Sequence, residues 1–222
     1  MGAPKVTTQQ HVLVVGPNGT GKTTLAKKMV SKQKAAFVLD TKRVGDFGDL
    51  GWPEIGDPRR IVTSNHAIYA APIGAEPKEL DGFFLASFRR GHCVILIDEA
   101  VHVCSASYIA KGFRGVLRSG RGRGVVAVTL AQRVVGLHND VLSESWTYIL
   151  FRLDGTDADK LASWGVPGDV LERAAAQRAH EYLVYDREER SVRFERKLDP
   201  TGVTAREKTG RRRGKGGKFV RS

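Results

Sequence analysis

One short stretch constrains the fold of this chain more than any other part: residues 16–23 read Gly-Pro-Asn-Gly-Thr-Gly-Lys-Thr. They fit the pattern GxxxxGK[ST], whose glycines let the backbone wrap around phosphates and turn its N–H groups toward them. The apolar run HVLVVG (11–16) predicts a buried strand before the loop, and a helix is predicted over 22–34. A strand, a glycine-rich turn and a helix in this order predict a nucleotide site in an α/β protein.

The loop and the start of its helix supply the expected ligands of the nucleotide. Lys22 is expected to reach the β- and γ-phosphates, and the Thr23 hydroxyl is expected to bind Mg²⁺. The positive end of the helix dipole adds to the attraction for phosphate. The full set of expected nucleotide-binding residues is Gly16, Pro17, Asn18, Gly19, Thr20, Gly21, Lys22, Thr23 and Thr24.

Two carboxylates end a second apolar run, HCVILIDEA (92–100). A strand of this kind places Asp98 at the carboxyl edge of the sheet beside the phosphate loop, where it can hold Mg²⁺. Glu99 can then orient and deprotonate a water for attack on the γ-phosphate, which makes it the candidate general base. The alternative is that both acids only cap the strand. The phosphate loop upstream favours the catalytic interpretation.

A third strand, VVAVTLAQ (125–132), ends in Gln132. If this strand lies between the two motif strands, the Gln132 amide comes close to the γ-phosphate and can distinguish ATP from ADP. A glutamine at a strand end carries little information by itself, so the prediction depends on that strand order.

Five basic residues without an intervening acid precede this third strand: Lys111, Arg114, Arg118, Arg121 and Arg123. Hydrolysis needs positive charge against the developing charge on the γ-phosphate, and Arg121, between two glycines, can supply it to a neighbouring subunit. The same bases can instead contact DNA phosphates, or they can form a solvated helix face. Their spacing does not separate these alternatives.

The length of 222 residues predicts one domain with short extensions, and the net charge of +12 suits a polyanionic partner. Residues 206–222 hold eight Lys or Arg and a single acid, Glu207. We therefore divide the chain into an extension (1–10), a nucleotide-binding domain (11–199) and a basic, disordered tail (200–222). In the tail, the expected nucleic-acid contacts are Arg211, Arg212 and Arg213. The chain has no apolar run that could span a bilayer and no secretory signal, so we expect a soluble intracellular protein.

Apolar runs that alternate with helical patterns predict an α/β architecture with a largely parallel sheet. Beyond the motif strands, strands are predicted at 35–40, 60–64 (RIVTS) and 146–153, and a closing pair at 182–186 and 191–198. Further helices are predicted at 76–90, at 106–118 and after residue 153, where Pro167 suits a helix start. Residues 41–58, rich in Gly, Asp and Pro, are predicted to form a loop.

Four features in order, GPNGTGKT, VILIDEA, SGRGRGV and VTLAQR, are followed by the strand WTYILFRL and the closing strand YLVYD. This series resembles the FtsK–HerA superfamily of DNA-pumping ATPases, and most of all the genome-packaging ATPases of tailless, membrane-containing double-stranded DNA viruses. The resemblance covers residues 10–198. It departs at Val134, where many relatives carry a proline after the Gln-Arg pair.

The resemblance implies a RecA-like P-loop NTPase fold of the additional-strand, catalytic-glutamate type, with a mostly parallel central sheet flanked by helices. It implies ATP and Mg²⁺ as cofactors, catalysis by Lys22, Glu99 and Gln132, metal binding by Thr23 and Asp98, and action of Arg121 across a subunit boundary. It further implies a ring of five or six copies that moves double-stranded DNA into a preformed capsid. Such a protein would act in the host cytoplasm and at the packaging vertex of the virion, in contact with capsid proteins.

Two other functions agree with the same residues. One is a motor for single-stranded DNA, as in phage extrusion or conjugation. The other is a nucleotide-dependent binding module that hydrolyses ATP without moving DNA. Stimulation of ATP hydrolysis by single-stranded DNA would favour the single-stranded DNA motor. ATP hydrolysis that no DNA stimulates would favour the nucleotide-dependent binding module.

Overall fold

A computed structural model describes residues 10–43 and 45–197 of the chain, with side chains up to residue 192. Nine strands and six α-helices are present in this part. The strands are β1 (His11–Val15), β2 (Ala36–Asp40), β3 (Glu54–Ile55), β4 (His66–Ala70), β5 (Cys93–Asp98), β6 (Val125–Ala131), β7 (Ser145–Leu150), β8 (Glu181–Asp186) and β9 (Ser191–Lys197). The helices are α1 (Lys22–Val30), α2 (Asp81–Arg90), α3 (Lys111–Ser119), α4 (Asn139–Glu144), α5 (Gly155–Ser163) and α6 (Gly168–Ala175).

All nine strands form one sheet in the order β3-β4-β2-β5-β6-β1-β7-β8-β9. The strands from β3 to β7 in this order pair in parallel, and β8 and β9 continue the sheet as antiparallel neighbours. The α/β fold with a mostly parallel sheet, predicted from the sequence, is therefore confirmed. Strand β6 lies between β1 and β5, which is the strand order on which the placement of Gln132 depends.

The sheet is covered on both faces, which explains why its central strands are apolar throughout. Val12 and Val14 of β1 point to the layer that contains Leu25 and Met29 of α1. Leu13 and Val15 point to the opposite layer, which contains Phe83 of α2 and Phe113 of α3. Alternate side chains of β1 thus pack into two different cores. Both cores stabilise the carboxyl end of β1, where the phosphate loop begins.

Several element boundaries differ from those predicted. Residues 60–64 do not form a strand: Asp57 caps a 3-10 helix over Pro58–Thr63, and the strand comes later, at β4. Helix α1 ends at Val30, four residues before the predicted end, and α3 begins at Lys111 because Cys104 and Ile109 first form an isolated bridge. Helix α4 was not predicted from the sequence.

Other predictions on the ends of the chain lie outside the described residues, namely the structure of 1–9 and of the basic tail. Within the described residues, no helix is both long and apolar enough to cross a membrane.

Candidate functional site

The phosphate loop connects β1 to α1 and is shaped by glycines at the points of closest approach. Gly16 packs so tightly on Phe151 that an added Cβ would lie 2.5 Å from the Phe151 Cβ. Gly19 and Gly21 adopt φ of 75° and 96°, a conformation that favours glycine. Thr20 is buried, and its hydroxyl donates to the Pro17 carbonyl at 2.8 Å, which braces the loop from inside.

A cleft of about 500 Å³ opens over this loop. It is lined by six of the nine predicted nucleotide-binding residues, namely Asn18, Gly19, Gly21, Lys22, Thr23 and Thr24. The other three, Gly16, Pro17 and Thr20, belong to the loop but do not line the cleft. Lys27, Lys42, Asp46, Asp98, Glu99, Leu130, Ala131 and His180 complete the lining.

Lys22 is folded back on the phosphate loop. Its ammonium group donates to the Pro17 carbonyl at 2.8 Å, and burial lowers the pKa of Lys22 to about 8, against which the charge of Glu99 acts. A lysine removed from water in this way gains more from a phosphate oxygen than an exposed lysine would. The side chain can therefore exchange a carbonyl partner for a phosphate.

Asp98 and Glu99 follow the end of β5 and are both buried, with 2% and 8% of their surface exposed. Asp98 Oδ2 has no hydrogen-bond partner among the described residues, and burial raises the pKa of this carboxyl. Glu99 adopts a left-handed backbone, with φ 74° and ψ 86°, at the cap of a short 3-10 helix. Strain of this kind is common at functional sites.

The donor set fits Mg²⁺. Asp98, whose Oδ2 accepts no hydrogen bond from the described residues, and Thr23 both line the cleft, and hard oxygen donors of this kind are the ligands Mg²⁺ prefers. These two residues would hold the ion.

Lys42, two residues after β2, is a site residue that the sequence analysis missed. Its ammonium lies 3.0 Å from Glu99 Oε2 and 3.7 Å from Asp98 Oδ2. Burial alone would lower the pKa of Lys42, but the hydrogen bond to Glu99 and the charge of Asp98 outweigh it and raise the pKa. Lys42 is thus the counter-ion of both acids. Strand β2 delivers it because Asp40 lies directly opposite Asp98 in the sheet.

Gln132 lies where the sequence places it, beside the candidate base. Its amide donates to Glu99 Oε2 at 2.7 Å, so one carboxylate oxygen receives both Gln132 and Lys42. Gln132 also lines an adjoining cavity of about 490 Å³ together with Val101 and Val135.

Arg133, the next residue, points the other way. Its guanidinium donates to Asp157 Oδ2 at 2.9 Å and pairs with Asp154 Oδ2 at 2.9 Å, at the start of α5. Asp157 also accepts the N–H groups of Val134 and Val135, which fixes the loop after β6 without the proline that many relatives carry.

Arg121 does not reach this cleft. It lies in a 3-10 helix before β6, over the ring of Trp146 at 5.8 Å and close to His11. These neighbours mark the amino edge of the sheet, and the seven residues of β6 separate Arg121 from the cleft by about 20 Å. No arginine is among the residues that line the nucleotide cleft in the described part of the chain.

The other basic residues of this region are partly paired within the chain. Arg114 and Arg118 both bind Asp140 of α4, each at 3.1 Å, so the acid absent from their own segment comes from another helix. Arg123 donates to the Arg89 carbonyl, and Lys111 is exposed. Arg211, Arg212 and Arg213 lie outside the described residues.

The sequence matches the family described as "ATPase family associated with various cellular activities (AAA)" over residues 12–143. This match includes the phosphate loop, both acids and Gln132. None of the curated protein sequences matches the chain.

Solved structures share the fold at low sequence identity. The genome packaging NTPase B204 of Sulfolobus turreted icosahedral virus 2, in complex with ATP-gammaS, is 16% identical with a TM-score of 0.77, covering 87% of this chain and 100% of that one. The same NTPase with AMPPCP gives a TM-score of 0.75 over the same shares. VirB4 of Thermoanaerobacter pseudethanolicus is 9% identical with a TM-score of 0.63, covering 85% of this chain and 89% of that one. The predicted P-loop NTPase fold is confirmed, and the predicted resemblance to genome-packaging ATPases is confirmed at the level of the fold.

Proposed function

The chain belongs to the ATPase family associated with various cellular activities, and we propose that it is a motor that moves double-stranded DNA into a preformed viral capsid. The chain is an ATPase with a P-loop NTPase fold. One observation carries the packaging role: the fold of a viral genome packaging NTPase matches this chain along that protein's entire length. Because one fold can serve many functions, the residues of the site must also fit this role.

The proposed hydrolysis uses the chain's own residues as follows. Lys22 leaves the Pro17 carbonyl and binds the β- and γ-phosphates, while the loop N–H groups surround them. Glu99 accepts a proton from a water as the water oxygen bonds to the γ-phosphorus and the bond to the β–γ bridging oxygen breaks. Thr23 and Asp98 would hold Mg²⁺, which would supply positive charge against the phosphate oxygens.

Lys42 and Gln132 have a positioning role in this scheme. Both donate to Glu99 Oε2, so the other oxygen of the same carboxylate remains to take the proton from water. The Lys42 ammonium is also the counter-ion of this carboxylate. Gln132 senses the γ-phosphate because it can exchange its bond to Glu99 for one to a phosphate oxygen.

We further propose a ring of five or six copies in which Arg121 completes the site of the adjacent subunit. The nucleotide cleft lies at the carboxyl edge of the sheet and Arg121 at the amino edge, so a head-to-tail arrangement brings one edge to the other. Such an arginine counters the charge that develops on the γ-phosphate.

DNA is the proposed cargo. Lys111, Arg118 and Arg123 have exposed side chains, and Arg114 and the tail arginines Arg211, Arg212 and Arg213 add to them. Contacts of this kind bind phosphate without reading sequence. The proposed location is the host cytoplasm and the packaging vertex of the virion, with capsid proteins as partners.

The first test is ATP hydrolysis by the full chain with and without duplex and single-stranded DNA. We expect duplex DNA to stimulate turnover more than single strands, and we expect stimulation to fall steeply between about 50 and 200 mM salt. The matched variants are Glu99→Gln, expected to bind ATP but to lose at least about 100-fold in turnover, and Glu144→Gln on α4, expected to behave as wild type.

Stronger stimulation by single strands would replace the proposed cargo by single-stranded DNA. Turnover that neither DNA changes would contradict a DNA motor and favour the nucleotide-dependent binding module. Normal hydrolysis by Glu99→Gln would show that Glu99 is not the base.

A further inference from the structure

His180 lies at one end of the nucleotide cleft, where nothing in the sequence had marked it. It precedes β8, which runs antiparallel to β7, so β8 starts at the same sheet edge where β1 ends in the phosphate loop. Among the described residues that line the cleft, His180 is the one that follows β6 in the chain.

The order of the strands determines which part of a nucleotide this end of the cleft receives. Glu99 and Gln132, which act at the γ-phosphate, come from β5 and β6 on one side of β1. The loop and the start of α1 surround the phosphates in between. The nucleoside must therefore extend toward the other side of β1, which is formed by β7 and β8 and carries His180.

The His180 side chain is free for a ligand. It forms no hydrogen bond or ion pair with any described residue, although it is only partly exposed. Its backbone has φ of 66°, unusual for a residue other than glycine. A small turn holds it: the Glu181 N–H donates to the Arg178 carbonyl at 3.1 Å, and the Arg178 N–H donates to Glu181 Oε2 at 3.0 Å.

Two buried aromatic side chains, Phe151 and Tyr182, connect the phosphate loop to the strand that follows His180. Phe151 packs against Gly16 of the loop and lies 5.4 Å from the ring of Tyr182, two residues after His180. Both aromatic side chains are fully buried. The spacing between the phosphate loop and His180 is therefore held by the core, as a binding site for one molecule that spans both requires.

We propose that His180 is the base-binding residue of the ATP site and that its imidazole stacks on the purine ring. A flat ring with no partner in the protein, held by a fixed turn at the nucleoside end of the cleft, has the chemistry that base stacking uses. This inference rests on ATP binding at the site and does not depend on DNA as the cargo.

The test compares ligands that do and do not carry a base. The dissociation constants of ATP and inorganic tripolyphosphate are measured for wild type, His180→Asn and His180→Phe. Asparagine tolerates the left-handed backbone but has no ring, so ATP is expected to bind about tenfold more weakly to His180→Asn, while tripolyphosphate binds as to wild type. His180→Phe keeps a ring and is expected to retain ATP affinity.

Arg190→Asn is the matched control, because Arg190 is exposed and has φ of 51° in the turn between β8 and β9. It is expected to change neither constant. Unchanged ATP binding in His180→Asn overturns the proposal, and so does an equal loss for ATP and tripolyphosphate, which would place His180 at the phosphates. If His180→Asn fails to fold, photo-crosslinking of 8-azido-ATP to the wild-type chain decides: label on residues 176–183 supports the proposal, and label only elsewhere overturns it.

Discussion

Glu99 receives two hydrogen bonds on one carboxylate oxygen, from Lys42 at 3.0 Å and from Gln132 at 2.7 Å. The carboxylate of Asp98 is its neighbour, and the Lys42 ammonium lies within ion-pair distance of both acids. The chemistry of this site therefore depends on a lysine outside both sequence motifs.

Replacing Lys42 by Met should lower kcat about tenfold near neutral pH, because Glu99 loses one of the two groups that orient it. Steady-state ATP hydrolysis near neutral pH measures the effect.

Lys42→Arg keeps the charge and a donor to Glu99, so it should retain most of the wild-type kcat. Lys34→Ala, an exposed position before β2, is the matched lysine control. A kcat of Lys42→Met equal to that of wild type would show that Lys42 has no role in hydrolysis.

At the scale of elements, β1 is held in place by the residue that begins it. His11 is fully buried, accepts the Ala127 N–H on Nδ1 at 2.9 Å, and has Nε2 3.0 Å from the Leu117 carbonyl. One neutral imidazole thus joins β1 to β6 and to the end of α3. Burial lowers its pKa to about 4, opposed by the bond to Leu117 and assisted by the charge of Arg121.

This burial predicts a pH dependence of stability. Between pH 6.5 and about 4 the unfolded chain binds a proton at His11 and the folded chain does not, so the free energy of unfolding falls as the pH falls. Integrated over that window, the loss is about 3 kcal/mol. His11→Gln, which does not titrate, should be less stable at pH 7 but should lose about 3 kcal/mol less on acidification.

Urea denaturation of both proteins at pH 7, 5.5 and 4.5 measures the difference. Equal losses in wild type and His11→Gln would mean that the fold tolerates a charged His11.

The sequence predicts the elements whose cause is local and misses those whose cause is distant. The loop of residues 16–23, the apolar strands β1, β5 and β6, and the closing pair β8 and β9 were predicted within a few residues. RIVTS has the composition of a strand, but Asp57 and Pro58 start a 3-10 helix there. Strand β4 has the sequence HAIYA, whose histidine and two alanines give only a weak strand pattern. It forms because β2 and β3 flank it.

The same division applies to the site. Lys22, Asp98 and Glu99 follow from motifs in which a few consecutive residues act together. Lys42 comes to Glu99 through the pairing of β2 with β5, across 57 residues, and His180 comes to the phosphate loop through an antiparallel strand. The sequence does show a basic residue, Lys42, two places after β2. That position points to the site only when it is known that β2 lies beside β5.

At the scale of the whole molecule, the two edges of the sheet carry different functional residues. The carboxyl edge holds the cleft with its acids and lysines, and the amino edge holds Arg121, about 20 Å away. A single copy therefore cannot bring Arg121 to its own nucleotide. A second copy is needed if this arginine takes part in hydrolysis.

Complementation tests this arrangement. Arg121→Ala and Glu99→Gln should each hydrolyse ATP at least about 100-fold more slowly than wild type. Mixed together, they should regain part of the activity, because some interfaces then join an intact Arg121 to an intact Glu99. Hydrolysis without DNA, measured across mixing ratios, gives the result.

Arg123→Ala, on the same 3-10 helix, should hydrolyse ATP normally without DNA and serves as the control. Full activity of Arg121→Ala alone would exclude this arginine from the site, and a mixture as inactive as its components would contradict action between subunits.

Gln132 and Arg133 are consecutive, and one contacts the candidate base while the other is tied to Asp154 and Asp157 at the start of α5. Because the two residues are consecutive, a backbone movement at Gln132 would also displace Arg133 and strain its ion pairs with α5. If nucleotide binding moves this backbone, a partner that binds α5 would change the affinity for ATP, and ATP would change the affinity for that partner by the same factor.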